Sequence, residues 1–160
     1  MFFTSVTDEN HDIFHELMQK YAKELDEHQN RNTDPQILKK WTDRIIEKQS
    51  ERTVHLRLCY ADDSVAGFMF GRMDLPDYKG FTKEGWGCIV EFYVLPEHRR
   101  KGYGKEMFLH LQDMFSQNGA KAMYLTADPI TGKPFWEAMG FIGTGEISPE
   151  SGQEIYEKRV

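Results

Sequence analysis

Three consecutive cations followed by two glycines form the stretch of this sequence whose residue types point most directly to chemistry. Arg99, Arg100 and Lys101 precede Gly102 and Gly104, in a chain whose formal net charge is −6 at pH 7. Glycine lets the backbone approach a ligand closely because no Cβ intervenes, and clustered positive charge attracts anions. The stretch therefore predicts a site for a small anionic ligand such as a phosphate or a pyrophosphate.

The segments on either side of this loop support the same prediction. Residues 86–94 are typical of a β-strand, and an apolar stripe after the glycines predicts a helix that ends at Asn118-Gly119. A helix N-terminus carries unpaired N–H groups and a partial positive charge, which together favour an anion. No GxxxxGK[ST] motif occurs, and Met107 stands where a dinucleotide-binding fingerprint needs glycine or alanine. A charged turn without a ligand remains an alternative.

Length and composition restrict the class of protein. The 160 residues, 39% hydrophobic and 13% aromatic, predict a single domain over 1–160 with a packed core. A pI near 5.5 argues against a nucleic-acid surface. No apolar run approaches the roughly 20 residues that span a bilayer, and the N-terminus lacks a signal-peptide pattern, so no membrane partner is expected. Cys59 and Cys88 lack metal-site spacing, which favours reduced core thiols in a cytoplasmic protein.

Periodicity predicts the order of the elements. A first helix carries apolar residues from Ile13 to Leu25, with Thr7 as its N-cap, and the polar residues 26–34 form a connection. Asp34-Pro35 begins a second helix. Three strands, the helix after the glycines, a short strand at 122–126, a compact helix ended by Gly140 and two weaker strands follow. The order α-α-β-β-β-α-β-α-β-β indicates an α/β or α+β fold with a sheet between helices.

Three short motifs together resemble the GNAT-type family of acyl-CoA-dependent N-acetyltransferases. They are Val94-Leu95-Pro96 at a strand end, the residues R-R-K-G-Y-G at 99–104 that open a helix, and Glu137-Ala138-Met139-Gly140-Phe141. Residues 86–141 are the specific part of the resemblance. It implies a mixed, mostly antiparallel sheet with helices on both faces. It also implies direct transfer of an acetyl group from acetyl-CoA to an amine in a ternary complex, without a metal.

The same resemblance implies which residues bind acetyl-CoA. The N–H groups of residues 100–105 would hold the pyrophosphate, and the peptide groups of residues 92–94 would pair with the pantetheine amides. A gap between that strand and residues 122–126 would admit the pantetheine arm. The complete set of implied binding residues is Phe92, Tyr93, Val94, Arg99, Arg100, Lys101, Gly102, Tyr103, Gly104, Lys105 and Trp136.

Two departures from the family pattern affect the chemistry. Trp136 stands where many relatives carry a tyrosine that protonates the leaving thiolate, and an indole cannot act as that acid. The segment ADPITG also replaces a region where relatives often carry an asparagine. A thiol pKa of about 8.5 makes a thiolate a tolerable leaving group, so transfer does not require the acid. Trp136 is then either a wall of the coenzyme channel or a core residue.

Candidates for proton transfer and acceptor binding come from other segments. Glu91 is the candidate base, with a purely structural carboxylate as the alternative. The acceptor site would be formed by loops, chiefly those at 26–36 and 74–85. Glu24, Asp26 and Glu27 suggest a cationic amine, and a solvated helix end explains them equally well. His11 and His15 have helical spacing for a metal but no third ligand nearby, and Cys88 has no paired histidine, so a buried thiol is favoured.

Three functions remain open from the sequence. The first is an N-acetyltransferase for a small amine, a peptide N-terminus or a lysine. The second is a non-catalytic acyl-CoA-binding or regulatory module, which the missing tyrosine suggests. The third is a structural domain whose basic loop is only a charged turn. The acceptor, the preferred acyl chain and the presence of a homodimer are not determined by the sequence.

Overall fold

The computed structural model describes all residues from 1 to 160 and places seven strands and four α-helices along them, with one turn of 3₁₀ helix at Pro96–His98. In chain order they are β1 (Phe2–Thr4), α1 (His11–Gln29), α2 (Pro35–Lys48), β2 (Val54–Ala61), β3 (Ser64–Met73), β4 (Gly87–Val94), α3 (Tyr103–Gln117), β5 (Ala122–Thr126), α4 (Gly132–Ala138), β6 (Ile142–Ile147) and β7 (Glu154–Arg159). The strands form one sheet in the order β1-β2-β3-β4-β5-β7-β6. Strands β4 and β5 are parallel, whereas β1–β2, β5–β7 and β6–β7 are antiparallel. The predicted α+β class with a mixed sheet is confirmed.

Strand β1 is an element that the sequence did not predict. Phe2 pairs with Tyr60 and Thr4 with Leu58 at the edge of the sheet, and the rings of Phe2 and Tyr60 stack with centroids 4.7 Å apart. Three residues are too few to show an alternating pattern. The pairing with β2 and this stacking contact place the segment in the sheet.

The boundaries of the first helix also differ from the prediction. Thr7 is not the N-cap, because α1 begins at His11 after Asn10, whose Oδ1 instead accepts a hydrogen bond from the Thr7 N–H at 2.7 Å. The helix continues through residues 26–29 and ends at Asn30, which is left-handed with φ 50°. The predicted start of α2 is confirmed, since Asp34 caps the helix before Pro35.

The chain divides into two compact units, and the prediction of a single domain stays a prediction. The first unit comprises Met1–Phe70 and Glu91–Met107. Its core joins the apolar face of α1 to the strands, with Phe14 packed edge to face on Phe68 at 5.1 Å. Both side chains are fully buried, and burial of a side chain of this size contributes about 1.5–3 kcal/mol. This packing holds α1 against the strands in the first unit.

The second unit comprises Gly71–Val90 and Phe108–Val160. In it the ring of Phe115 from α3 lies directly against two glycines of the sheet. A Cβ added at Gly71 would lie 2.7 Å from that ring, and one added at Gly87 would lie 2.6 Å from it. Glycine at both positions therefore allows α3 to approach the strands closely.

The length and composition of the helices decide whether one of them could cross a membrane. None of the four helices combines the length and the apolar composition needed to cross a bilayer.

Candidate active site

The loop between β4 and α3 has two features that favour anion binding, left-handed residues and a helix start. Leu95 anchors its start through an N–H that bonds to the Ala66 carbonyl at 2.8 Å, and Arg100 and Gly102 both adopt left-handed conformations, with φ of 60° and 87°. Helix α3 follows at Tyr103. The N–H groups of its first turn have no intrahelical acceptor, and left-handed residues in such turns gather successive N–H groups into a concave anion-binding surface. The predicted helix start after the basic run is confirmed, and anion binding at this loop stays a prediction.

The cations of this segment fall into two groups. Arg100, Lys101 and Lys105 are exposed. Arg99 instead bonds to Glu24 of α1, with Nη1–Oε1 and Nη2–Oε2 distances of 2.8 and 2.7 Å, and its Nε donates to the Val94 carbonyl at 2.8 Å. The bonds to Glu24 raise the pKa of Arg99. The sequence grouped Arg99 with its neighbours, whereas three of the five N–H donors of a guanidinium are already used within the protein here.

The strand residues before the loop are tied to the same helix. Tyr93 is 5% exposed and its ring lies 5.3 Å from Tyr21 and 6.2 Å from Phe68. Burial, helped by the negative charge of Glu24, raises the pKa of the Tyr93 hydroxyl to about 12. The side chain of Tyr93 is therefore a packing group. Pairing of the peptide groups of residues 92–94 with pantetheine stays a prediction.

Glu91 has the properties of a proton acceptor that works near neutral pH. It is partly buried, and the Tyr21 hydroxyl donates a hydrogen bond to its Oε2 at 2.6 Å. Burial raises the pKa of Glu91 from 4.5 to about 7, although the bond from Tyr21 and the positive charge of Arg31 both favour the ionised form. A carboxylate in this range can be deprotonated before reaction and can still take up a proton during it.

The acidic residues near the end of α1 are mostly occupied by internal partners. Glu24 bonds to Arg99, and Asp26 accepts hydrogen bonds from the Thr33 N–H at 2.7 Å and from Arg31 Nε at 3.0 Å. The pKa of Asp26 is lowered, mainly by its hydrogen bonds from Thr33. Only Glu27 of the three is exposed, and it lines a groove of about 1050 Å³ between α1 and α2. Of the three acids that were expected to bind a cationic amine together, two are therefore already engaged by partners within the protein.

The second predicted acceptor loop is folded around a buried carboxylate. Asp74 is 1% exposed and accepts hydrogen bonds from the Lys83 N–H at 2.8 Å and from the Tyr124 hydroxyl. The Lys83 ammonium lies 2.9 Å from Glu157 and 5.1 Å from the centre of the Trp86 ring. These contacts hold residues 74–86 in a defined conformation within the second unit.

Trp136 packs in the core of the second unit. It is 6% exposed, and its ring centroid lies 5.8 Å from Phe108, 4.8 Å from Phe135 and 5.3 Å from Phe141. These contacts favour the packing alternative. A role as a wall of the coenzyme channel stays a prediction.

The histidine and cysteine candidates do not form a metal site or a disulfide. His15 Nε2 lies 2.9 Å from Asp43, and no group of three or more His, Cys, Asp or Glu side chains is arranged to hold a metal ion. Neither cysteine is in a disulfide; Cys59 is buried, and burial raises the pKa of its thiol. The contacts that define the site, Tyr21 to Glu91 and Glu24 to Arg99, join residues 70 and 75 positions apart. No local sequence signal indicates them.

Comparisons with known proteins identify the family and the fold of this chain. A family model described as acetyltransferase (GNAT) family matches residues 11–141. No curated protein matches significantly. Similar solved structures include a PaiA N-acetyltransferase from Thermoplasma acidophilum in complex with coenzyme A, with 16% identity, a TM-score of 0.76 and coverage of 99% of this chain and 98% of that chain.

Two further solved structures have a similar fold. Tetrahymena GCN5 has 14% identity and a TM-score of 0.69 over 100% of this chain and 96% of that chain. The ribosomal-protein-S18-alanine N-acetyltransferase from Escherichia coli has 12% identity and a TM-score of 0.62 over 98% of this chain and 90% of that chain. At these identities the likeness shows the fold. The family model, which covers most of the chain, shows that the protein belongs to the acetyltransferase (GNAT) family and is an acetyl-CoA-dependent N-acetyltransferase.

Proposed function

We propose that the chain binds acetyl-CoA along the end of β4 and the loop into α3, and acetylates a primary amine with Glu91 as the base. The observation that carries the catalytic part is the partly buried Glu91 carboxyl, whose pKa lies at about 7 and whose Oε2 accepts a hydrogen bond from Tyr21. A group with this pKa is suited to proton transfer under ordinary conditions.

The loop into α3 fits the diphosphate of the coenzyme. Its left-handed residues Arg100 and Gly102 precede a helix N-terminus, and Arg100, Lys101 and Lys105 expose three positive charges beside it. Backbone N–H groups of residues 100–105 would bind the phosphate oxygens, while these cations add Coulomb attraction. The solved structure of the PaiA N-acetyltransferase, which has a similar fold, is of its complex with coenzyme A.

The chemistry requires little beyond positioning and one base. Acetyl-CoA supplies a thioester carbonyl as the electrophile. Glu91 takes the proton that the attacking nitrogen loses, directly or through one water, and the hydrogen bond from Tyr21 fixes the orientation of the carboxylate. The new C–N bond replaces the C–S bond. Because a thiol has a pKa of about 8.5, the thiolate leaves without a protein acid, which is consistent with Trp136 at the family's tyrosine position.

The acceptor that we propose is a primary amine of a small molecule, a peptide N-terminus or a lysine side chain. Similar structures act on different acceptors: one is named as a ribosomal-protein alanine N-acetyltransferase and another as an aminoglycoside N-acetyltransferase. In this chain only Glu27 remains exposed among the acids of the α1 end. We also place the protein in the cytoplasm, since two cysteines outside any disulfide fit a reducing compartment.

A panel assay tests this proposal. Release of the CoA thiol is followed with acetyl-CoA and three acceptor types: a polyamine, a peptide with a free N-terminus, and an N-terminally blocked peptide that contains lysine. We expect turnover with at least one type and a large loss in Glu91→Gln. Coenzyme binding without turnover on any amine would contradict the proposed acceptor class.

A further inference from the structure

A single carboxylate on α1 is joined to the loop of the proposed coenzyme site. Glu24 accepts two hydrogen bonds from Arg99, at 2.8 and 2.7 Å. Arg99 lies at the first position of the loop's basic run, and the negative charge of Glu24 also acts on Tyr93 of β4, where it helps to raise the pKa of the hydroxyl. Glu24 itself is 75 residues away from Arg99 in the sequence.

Arg99 continues this connection into the backbone. Its Nε donates to the Val94 carbonyl at 2.8 Å, so one guanidinium bridges α1 and the last residue of β4. A guanidinium is a rigid planar fork, and bidentate bonds to a carboxylate fix its orientation as well as its position. The next residue, Arg100, is left-handed with φ 60°. The N–H groups that follow in the loop therefore start next to Arg99, whose side chain is held by three hydrogen bonds.

We propose that Glu24 and Arg99 form a clamp that positions the N–H groups of residues 100–105 for the coenzyme diphosphate, with neither side chain contacting the coenzyme. This inference rests on the proposed coenzyme site. It assigns Arg99 a positioning role that differs from the direct attraction expected of a cation in this loop. Arg100, Lys101 and Lys105 remain the charges that face the ligand.

The charge balance supports this division of roles. Arg99 and Glu24 are only 35% and 21% exposed in their side chains, so their attraction is less screened by solvent than that of a surface pair. A bidentate pair of opposite charges has little net charge to offer an anion. Arg99 would have to break both bonds to Glu24 before it could bind a phosphate.

The two possible roles of Arg99 predict opposite effects of changing Glu24. If Arg99 bound the diphosphate directly, Glu24→Gln would release it and leave coenzyme affinity unchanged or higher. If the clamp positions the loop, the same change should weaken affinity, by about tenfold when one charge-assisted bond is lost. The matched control is Glu16→Gln, which removes an exposed ion pair with Lys20 from the same helix and should leave affinity unchanged.

Titration calorimetry with CoA should therefore be performed on the wild type, Glu24→Gln, Arg99→Gln, the double variant and the control. We expect the double variant to bind no more weakly than Arg99→Gln alone, because both changes release the same clamp. The dependence of affinity on salt should stay at the wild-type slope in the double variant, which removes both charges of the pair and leaves their sum unchanged. A flattened slope in the double variant, or unchanged or tighter binding in Glu24→Gln, would overturn the clamp.

Hydrogen exchange in the ligand-free proteins separates loop positioning from loss of the fold. The amides of residues 100–105 should exchange faster in Glu24→Gln than in the control, while core amides of β2 and β3 keep their protection. Global loss of protection would instead indicate a folding role and would count against the clamp. If the wild type itself failed to bind CoA, the proposed coenzyme site would fail; normal wild-type binding with an unaffected Glu24→Gln would defeat the clamp alone.

Discussion

Replacing Glu91 by glutamine keeps the shape of the side chain and removes its ionisation. If Glu91 is the base, we expect turnover to fall by about 10²–10⁴-fold, the range typical of a lost general base. The wild-type kcat/KM should rise with pH through about 7, where the carboxyl ionises. The ratio of wild-type to variant activity should rise in the same interval, because titration of the acceptor amine is common to both proteins.

The same substitution has a consequence for stability with a defined sign. The folded-state pKa of Glu91 is raised from 4.5 to about 7, so the folded protein holds this proton more tightly than the unfolded chain does. The stabilisation is fully present below pH 4.5 and is lost as the pH rises through 7. At 1.36 kcal/mol per tenfold change in ionisation, the upper limit is about 3 kcal/mol. Because Glu91 is partly accessible, we expect about 1–2 kcal/mol.

Denaturant unfolding of the wild type and Glu91→Gln at pH 5, 6, 7 and 8 measures this effect. The variant should gain stability relative to the wild type as the pH rises, because its amide cannot ionise. Glu47→Gln, at an exposed position of α2, serves as the control and should show no such trend. A stability difference that stays constant from pH 5 to 8 would refute the reasoning about Glu91. Tyr21→Phe should move the activity profile to higher pH, since it removes a bond that favours the ionised form.

Three other changes test the coenzyme site. Gly102→Ala should weaken CoA binding and cost about 1 kcal/mol of stability, because alanine is strained at a φ of 87°. A Cβ there would contact nothing within 4 Å, so no steric overlap adds to this cost. Calorimetry measures the binding and melting curves measure the stability, and unchanged values would argue against the loop assignment. Joint replacement of Arg100 and Lys101 by glutamine should weaken CoA binding and flatten its salt dependence, whereas an unaltered titration would mark them as solvated charges. Trp136→Phe should keep appreciable turnover in a thiol-release assay, and an inactive variant that still folds and binds CoA would reveal a chemical role for the indole.

The parts of the fold that could be predicted are those decided within one or two turns of chain. Asp34 and Pro35 start α2 through contacts inside its first turn, and the glycine loop leads into α3 as the local pattern indicates. The end of α1 was placed too early because polar residues suit both a helix and a loop. The left-handed Asn30 decides that boundary, and its conformation is not visible in the sequence.

The site was predictable in position and much less so in its connections. The motif at 99–104 located the loop, and Glu91 was selected by its place in the strand. The partners of these residues come from α1, where Tyr21 and Glu24 lie one turn apart on the helix that packs against the strands. Such pairs depend on how a helix is oriented in the fold, which a single sequence does not contain.

The contact of Phe115 with Gly71 and Gly87 has a consequence for how this sequence can change over evolutionary time. A methyl group at either glycine would overlap the ring, and overpacking of this kind typically costs about 1–3 kcal/mol. Positions 87 and 115 should therefore drift together: a larger residue at 87 becomes acceptable only with a smaller one at 115. Position 71 is more restricted, because a Cβ there would also lie 3.1 Å from Leu111 and 3.2 Å from the Cys88 carbonyl oxygen. In a combinatorial library at 87 and 115, selection for folded protein should recover matched volumes and reject the independent combinations.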